Sequence, residues 1–170
     1  MRRLMKAATT LLLVVMLGGC AAGKTSGWVE ASAWGANYTE DFIFDFWIRT
    51  IDGNRTGVGS TQLAEFSRGG TTGRICCGLM PGVGETVRVV WRVGGRQELE
   101  SEWKTFSREV VVAGEVSEST SRHSYLIVRF FPDREVEAEF IPGDHPQGAR
   151  NPRVDKLFFA GPRVMRQKGD

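Results

Sequence analysis

The cysteines have the most distinctive chemistry in this sequence, because a thiolate can bind a metal, form a disulfide or attack an electrophile. Cys76 and Cys77 are adjacent, and Cys20 is the third and last cysteine of the 170 residues. Neighbouring residues of a strand point to opposite faces, so a bond between the adjacent pair needs a distorted peptide. Three interpretations stay open for this pair: a strained vicinal disulfide, two free thiols of which one lies in the core, and an intermolecular bond.

The other reactive residues have no spacing that favours metal or hydrolytic chemistry. His123 and His145 could add imidazole ligands to the paired cysteines, but no C-x-x-C or H-x-x-x-H spacing places them on one turn or hairpin. Ser60 lacks the second glycine of a nucleophile elbow. We therefore expect no metal or cofactor other than a covalent lipid, and a protein that is not an enzyme.

Tryptophan and glutamate residues indicate binding surfaces instead. Trp47 lies in a strand-like segment on the same face as Arg49, opposite a row of phenylalanines, and we predict that it is exposed or covers a second layer. An exposed Trp flanked by Arg is typical of a protein-binding hot spot. Alternating glutamates predict one acidic stripe at 135, 137 and 139 and a second at 98, 100 and 102. A solvated sheet face is favoured for both over a docking site for a basic partner.

The elements that must position these residues are strands. Period-two alternation of apolar and polar residues, bounded by Gly, Pro, Asn and Asp turns, predicts strands. The predicted strands cover residues 28–34, 42–48, 58–66, 74–79, 87–93, 105–112, 125–131 and 135–140. In 42–48 the pattern assigns Phe42, Phe44, Phe46 and Ile48 to one face. We predict a single all-β domain over 28–170, a compact antiparallel sandwich or barrel of about seven or eight short strands.

The N-terminus has the composition of an export signal. Residues 1–19 combine a basic start, a short apolar run and small residues before Cys20, which predicts a signal peptide that is removed. Leu17-Gly18-Gly19-Cys20 resembles a lipobox, which implies lipidation of Cys20; a plain secretory signal with an incidental cysteine is the alternative. Gly18 to Thr25 matches the P-loop pattern only formally, because the predicted cleavage removes its first glycine.

Export also sets the expected location and charge. Residues 20–27 would be the lipidated cysteine and a short tether, and the tether from Ala21 to Gly27 reaches about 25 Å at ~3.5 Å per residue. Ala21, rather than Asp, after the lipidated cysteine implies the outer membrane, with the domain facing the periplasm. Without residues 1–19 the chain keeps 19 basic against 20 acidic residues, so its charge does not indicate a nucleic-acid partner.

Several segments resemble one family of Gram-negative lipoproteins, domain of unknown function 3304. They are a Cys-Cys pair before a proline turn (Arg74 to Gly82), a V-x-V-x-W strand (Thr86 to Trp91), Asn37 to Asp41, and Val128 to Asp133. Together these segments span most of residues 34–140. The turn at Leu79-Met80-Pro81-Gly82 is shorter than the family's usual pattern.

The resemblance implies an immunity protein, because members of that family are often encoded beside type VI secretion phospholipases. Such a protein would bind and neutralise the toxic lipase in the periplasm. A structural or accessory envelope lipoprotein of a secretion or cell-wall system is the alternative. Under the immunity hypothesis the expected partner contacts are Trp47, Arg49, Arg68, Asp144, His145 and the loops at 69–73 and 143–150.

Overall fold

The computed structural model describes residues 27–71, 75–117, 124–143, 156 and 164–170, without the side chain of Cys76. Nine strands lie in this described part of the chain. They are β1 (Trp28–Asn37), β2 (Ile43–Arg49), β3 (Arg55–Leu63), β4 (Ile75–Pro81), β5 (Thr86–Val93), β6 (Lys104–Val111), β7 (Ala113–Gly114), β8 (Ser124–Phe130) and β9 (Val136–Pro142). All eight predicted strand segments coincide with strands. The additional strand, β7, has two residues, too few to produce an alternating pattern.

The strands form two sheets. The five-stranded sheet has the order β4-β1-β8-β9-β7, and the four-stranded sheet has the order β3-β2-β5-β6. Strands β1 and β8 pair in parallel, as do β7 and β9, while all other pairs are antiparallel. The all-β prediction is confirmed, and of its two forms the sandwich is the one observed.

The core lies between the two sheets and is made by the alternating apolar residues. Five long strands lie inside the two sheets, and their core residues are Ala31 and Ala33 of β1, Ile43, Phe46 and Ile48 of β2, Val87, Val89 and Trp91 of β5, Leu126, Val128 and Phe130 of β8, and Val136, Ala138 and Phe140 of β9. Trp91 is 2% exposed and meets Phe130 edge-to-face, with ring centroids 5.6 Å apart. Burial of these side chains contributes about 1.5–3 kcal/mol each relative to exposure.

The predicted phenylalanine row of β2 is wrong at one position. The pairing of β2 with β5 shifts register between Ile43 and Asp45, which is the signature of a β-bulge. The extra residue places Ile43 in the core, although simple alternation assigned it to the face of Trp47. Phe44 leaves the core and packs against Trp103, with ring centroids 3.9 Å apart.

The start of β2 is held by one buried polar side chain. Asn37, which is 0% exposed, donates from Nδ2 to the carbonyls of Asp41 (2.7 Å) and Ala64 (3.0 Å). Its Oδ1 accepts from the amide and the hydroxyl of Thr39. Next to it, Tyr38 stacks on Phe131 at 5.2 Å. Two of the segments that carry the family resemblance, Asn37 to Asp41 and Val128 to Asp133, therefore pack against each other.

The predicted signal peptide at 1–19, the lipidation site Cys20 and the tether up to residue 26 lie outside the described residues. Within the described ranges, no helix has the length and apolar character needed to cross a bilayer.

Candidate functional site

The outer face of the four-stranded sheet displays side chains that the core does not use. Because Phe46 and Ile48 point inward, their neighbours on β2, namely Asp45, Trp47 and Arg49, lie on the outside. The flanking strands place residues in register with these three: Thr61 and Arg92 beside Asp45, Gly59 and Val90 beside Trp47, and Arg55 and Arg88 beside Arg49. We call these nine residues the outer face.

Arg92 is the centre of a charged group at one end of the outer face. Its Nε donates to Asp45 Oδ1 at 2.8 Å and its Nη2 to Asp45 Oδ2 at 2.5 Å, while Nη1 donates to Glu100. The side chains of Arg92 and Asp45 are 25% and 15% exposed. The hydrogen bonds that Arg92 donates to Asp45, and secondarily the one it donates to Glu100, raise the pKa of Arg92 against the opposing effect of burial. The guanidinium is therefore a permanent, fixed charge.

Three aromatic rings surround this guanidinium. The Arg92 Cζ lies 5.2 Å from the ring centroid of Trp103, 5.3 Å from that of Phe44 and 5.8 Å from that of Trp47. Cation–π contacts at such distances contribute about 0.5–2 kcal/mol. Among the described residues, the indole Nε1 atoms of Trp47 and Trp103 are buried with no hydrogen-bond partner. The rings are thus held in place by packing and by the cation, which makes this end of the outer face rigid.

A groove of about 430 Å³ runs beside Trp47 along β3. Arg55 lines it, as do Asp45 and Arg92 of the charged group, and the backbone of Gly57 and Gly59 forms part of its wall. A Cβ at residue 59 would come too close to the carbonyl oxygen of Phe46, so only glycine allows this approach of β3 to β2. The outer face is therefore concave beside Trp47, and part of the wall of the groove is apolar.

The predicted contact residues divide into three groups in the structure. Trp47 and Arg49 lie two residues apart on the outer face, both half-buried, and Arg49 Nη1 donates to the Gly53 carbonyl at 2.8 Å. Arg68 lies elsewhere, on the turn after β3, with its side chain 67% exposed and 3.9 Å from Glu65. Asp144 and His145 lie outside the described residues.

Sequence reasoning missed the residues that complete the aromatic and charged group: Phe44, Asp45, Arg92, Glu100 and Trp103. In the sequence, Arg92 is one of the polar residues that alternate with the apolar residues of the predicted strand 87–93. Trp103 lies just before the predicted strand 105–112. A cross-strand signal exists, because Asp45 and Arg92 are opposite charges on two predicted strands. It becomes readable only when the pairing of β2 with β5 is known.

The glutamates at 135, 137 and 139 alternate with buried residues and face outward as predicted, but they are half-buried and make contacts within the chain. Glu139 pairs with Arg129 at 2.7 Å, with side chains only 13% and 4% exposed. Glu135 pairs with Lys168 at 2.6 Å and with Arg108 at 3.3 Å. The second group is not a strand stripe either, because residues 100–102 form a 3-10 turn. Most of these carboxylates therefore have partners within the chain, and the docking alternative stays a prediction.

The cysteine prediction is tested only in part. Cys77 is disulfide-bonded, and its Sγ lies 3.4 Å from the hydroxyl of Ser32 on β1. The interpretation with two free thiols is therefore wrong for Cys77. The side chains of Cys20 and Cys76 lie outside the described residues, so the vicinal disulfide and the intermolecular bond both stay predictions. His123 also lies outside that part of the chain, and within it no group of three or more His, Cys, Asp or Glu is arranged to hold a metal.

The chain matches no protein-family model, no curated protein and no solved structure. The family resemblance therefore stays a prediction.

Proposed function

We propose that this protein is a lipid-anchored binding protein of the outer membrane, facing the periplasm, which neutralises a toxic effector. The effector class implied by the resemblance is a phospholipase delivered by type VI secretion. The observation that carries the binding role is the aromatic and charged group around Arg92, which lies next to a groove on the outer face. The contact surface in this proposal is the outer face, with Trp47 at its centre.

The composition of the outer face supports a binding role. Trp and Arg are the residue types that dominate binding energy at protein interfaces, where they occupy central, desolvated positions. Trp47 and Arg92 occur together here, with polar residues around them.

The rigidity of the group supports it further. Binding costs about 0.5–1.5 kcal/mol for each flexible side chain that becomes ordered. Arg92 is already held by Asp45 and Glu100, and Trp47 is packed against Arg92 and the strand. Most of this ordering cost has therefore been met during folding, and more of the contact energy would appear as affinity.

The test uses the phospholipase encoded next to the gene of this protein. The full chain, purified in detergent, is expected to inhibit the lipase, and Trp47→Ala is expected to weaken inhibition at least about thirtyfold, because truncation of an interface hot spot costs about 2 kcal/mol or more. Trp28→Ala is the matched control, because Trp28 is 60% exposed on β1 of the other sheet. Thermal unfolding of both variants establishes that they fold.

Two results would contradict the proposal. Absence of inhibition by the wild-type chain would remove the immunity role and favour the accessory envelope lipoprotein. Equal inhibition by the wild-type protein and the folded Trp47→Ala variant would show that the outer face is not the contact surface.

A further inference from the structure

The end of the outer face opposite Arg92 holds three arginines in one cross-strand row. Arg49 of β2 is in register with Arg55 of β3 on one side and with Arg88 of β5 on the other. Glu109 of β6 continues the row beside Arg88. With strands about 4.8 Å apart, the three arginines span roughly 10 Å. We call Arg55, Arg49 and Arg88 the arginine row.

The arginine row is undercompensated within the chain. Arg88 pairs with Glu109 at 2.7 Å, and their side chains are 36% and 53% exposed. Arg49 donates to a neutral carbonyl, that of Gly53, and to no other acceptor in the part of the chain that the structure describes. Among the described residues, no carboxylate lies within 4.0 Å of the guanidinium of Arg49 or Arg55. Like charges directly opposite each other destabilise a sheet, so a negatively charged ligand at the arginine row would be favourable.

The order of the residues along β2 defines the chemical pattern that a ligand of the outer face must match. Arg49, Trp47 and Asp45 follow one another on the same face at steps of about 7 Å. The outer face therefore presents a positive row, then an apolar indole, and then a carboxylate already paired with Arg92. The groove runs along β3 beside Asp45 and Trp47, and Arg55 lines it at the positive end.

We propose that the arginine row binds the carboxylates of an acidic segment of the partner protein, while an apolar side chain of that segment packs against Trp47. This inference rests on the proposed function, because it specifies the chemistry of the partner at the same face. Arginine suits the role, since its planar fork donates two parallel hydrogen bonds to a carboxylate. Binding also relieves the repulsion between the three guanidinium groups.

The distribution of charge favours a protein segment over an anionic membrane surface. Glu109 lies at the end of the arginine row, and Asp45 and Glu100 lie at the far end of the outer face. A uniformly negative surface would attract the arginines but would also repel these carboxylates. A protein segment can place negative charge at one end only, which is how complementary interfaces gain specificity.

The experiment measures binding of the full chain in detergent to a pentapeptide of four glutamates around a central phenylalanine. Binding is expected to weaken at least tenfold in Arg55→Glu and to fall as salt increases. Arg68→Glu makes the same change of charge at a residue that was a predicted contact but lies off the outer face, on the turn after β3, and it is expected to bind the pentapeptide like the wild type. Arg55→Glu is expected to fold, because it replaces a repulsive cross-strand pair with an attractive one.

Three results would overturn the inference. The first is a wild-type chain that does not bind the pentapeptide, and the second is equal binding of the pentapeptide by the wild type and Arg55→Glu. The third is that Arg55→Glu loses binding to phosphatidylglycerol vesicles but keeps its binding to the pentapeptide. The same variants in the lipase assay separate this inference from the proposed function. If the wild type and Arg55→Glu inhibit the lipase equally, the immunity role stands and the acidic docking site falls. If the wild type does not inhibit but the pentapeptide result is positive, the immunity role falls and the acidic docking site stands.

Discussion

Asp45 and Arg92 lie directly opposite each other on β2 and β5 and form a two-point ion pair, with N–O distances of 2.8 Å and 2.5 Å. Alternation with the buried Phe46 places Asp45 on the outer face, and the β-bulge at Phe44 allows Ile43 to stay in the core as well. The bulge thus supplies both a core residue, Ile43, and one of the rings beside Arg92, Phe44.

Asp45→Asn is expected to lower the free energy of unfolding by about 1–2 kcal/mol, between the values of exposed and buried ion pairs. The reason is that Arg92 keeps its partly buried charge but loses its two-point partner. Urea unfolding measures the change. Glu109→Gln is the matched control, since it removes an ion pair that is 53% exposed on the carboxylate side, and its effect is expected to be near zero. Equal losses in both variants would refute the special role of the pair.

Asn37→Ala is expected to lower the free energy of unfolding by about 3 kcal/mol. The substitution leaves the carbonyls of Asp41 and Ala64 without the amide that they accept from, and each unsatisfied buried group costs about 1–3 kcal/mol. Asn54→Ala removes an exposed side-chain hydrogen bond to Asp52 and is expected to cost less than about 0.5 kcal/mol. A mild effect of Asn37→Ala in denaturant titration would contradict the structural role of this asparagine.

Arg129→Met is expected to destabilise the protein by about 3 kcal/mol, the lower end of the range for a broken buried ion pair, because it removes the guanidinium that pairs with a Glu139 side chain only 13% exposed. The double variant Arg129→Met with Glu139→Leu is expected to recover most of the loss, since an apolar pair of similar size needs no compensation. Thermal and urea unfolding of the single and double variants compare the two states. A double variant as unstable as the single one would show that the ion pair itself is required.

Glu135→Gln is expected to reduce the dependence of stability on pH. The hydrogen bond and charge of Lys168, aided by Arg108, lower the pKa of Glu135 below its usual value of 4.5. A carboxyl whose pKa is lower in the folded state stabilises that state above the unfolded pKa, and this stabilisation is lost as pH falls through the folded pKa. Unfolding at low salt should show a wild-type advantage at pH 6 that disappears at acid pH. High salt should also reduce it, because the side chain is 35% exposed. A constant difference across pH would contradict the assignment.

The strand positions could be predicted from the sequence because alternation is a local property. Each run, such as Val87 to Trp91, reports its own buried face without reference to other strands. Phe44 was misassigned because a bulge leaves no mark in composition, and its presence is decided by pairing with β5. The role of Asn37 was equally hidden, since a polar residue at a strand end is usually solvated, whereas here three chain segments meet around it.

The sequence by itself determined that the chain is built of strands and which side chains alternate, and it identified Trp47 and Arg49 as neighbours on one face. Only the tertiary structure decided that Arg92, 47 residues after Asp45, completes the aromatic and charged group, and that Arg55 and Arg88 align with Arg49. The physical reason is that a strand's periodicity depends on its own residues, whereas cross-strand neighbours depend on strand order and register. These are set by the packing of the whole sandwich.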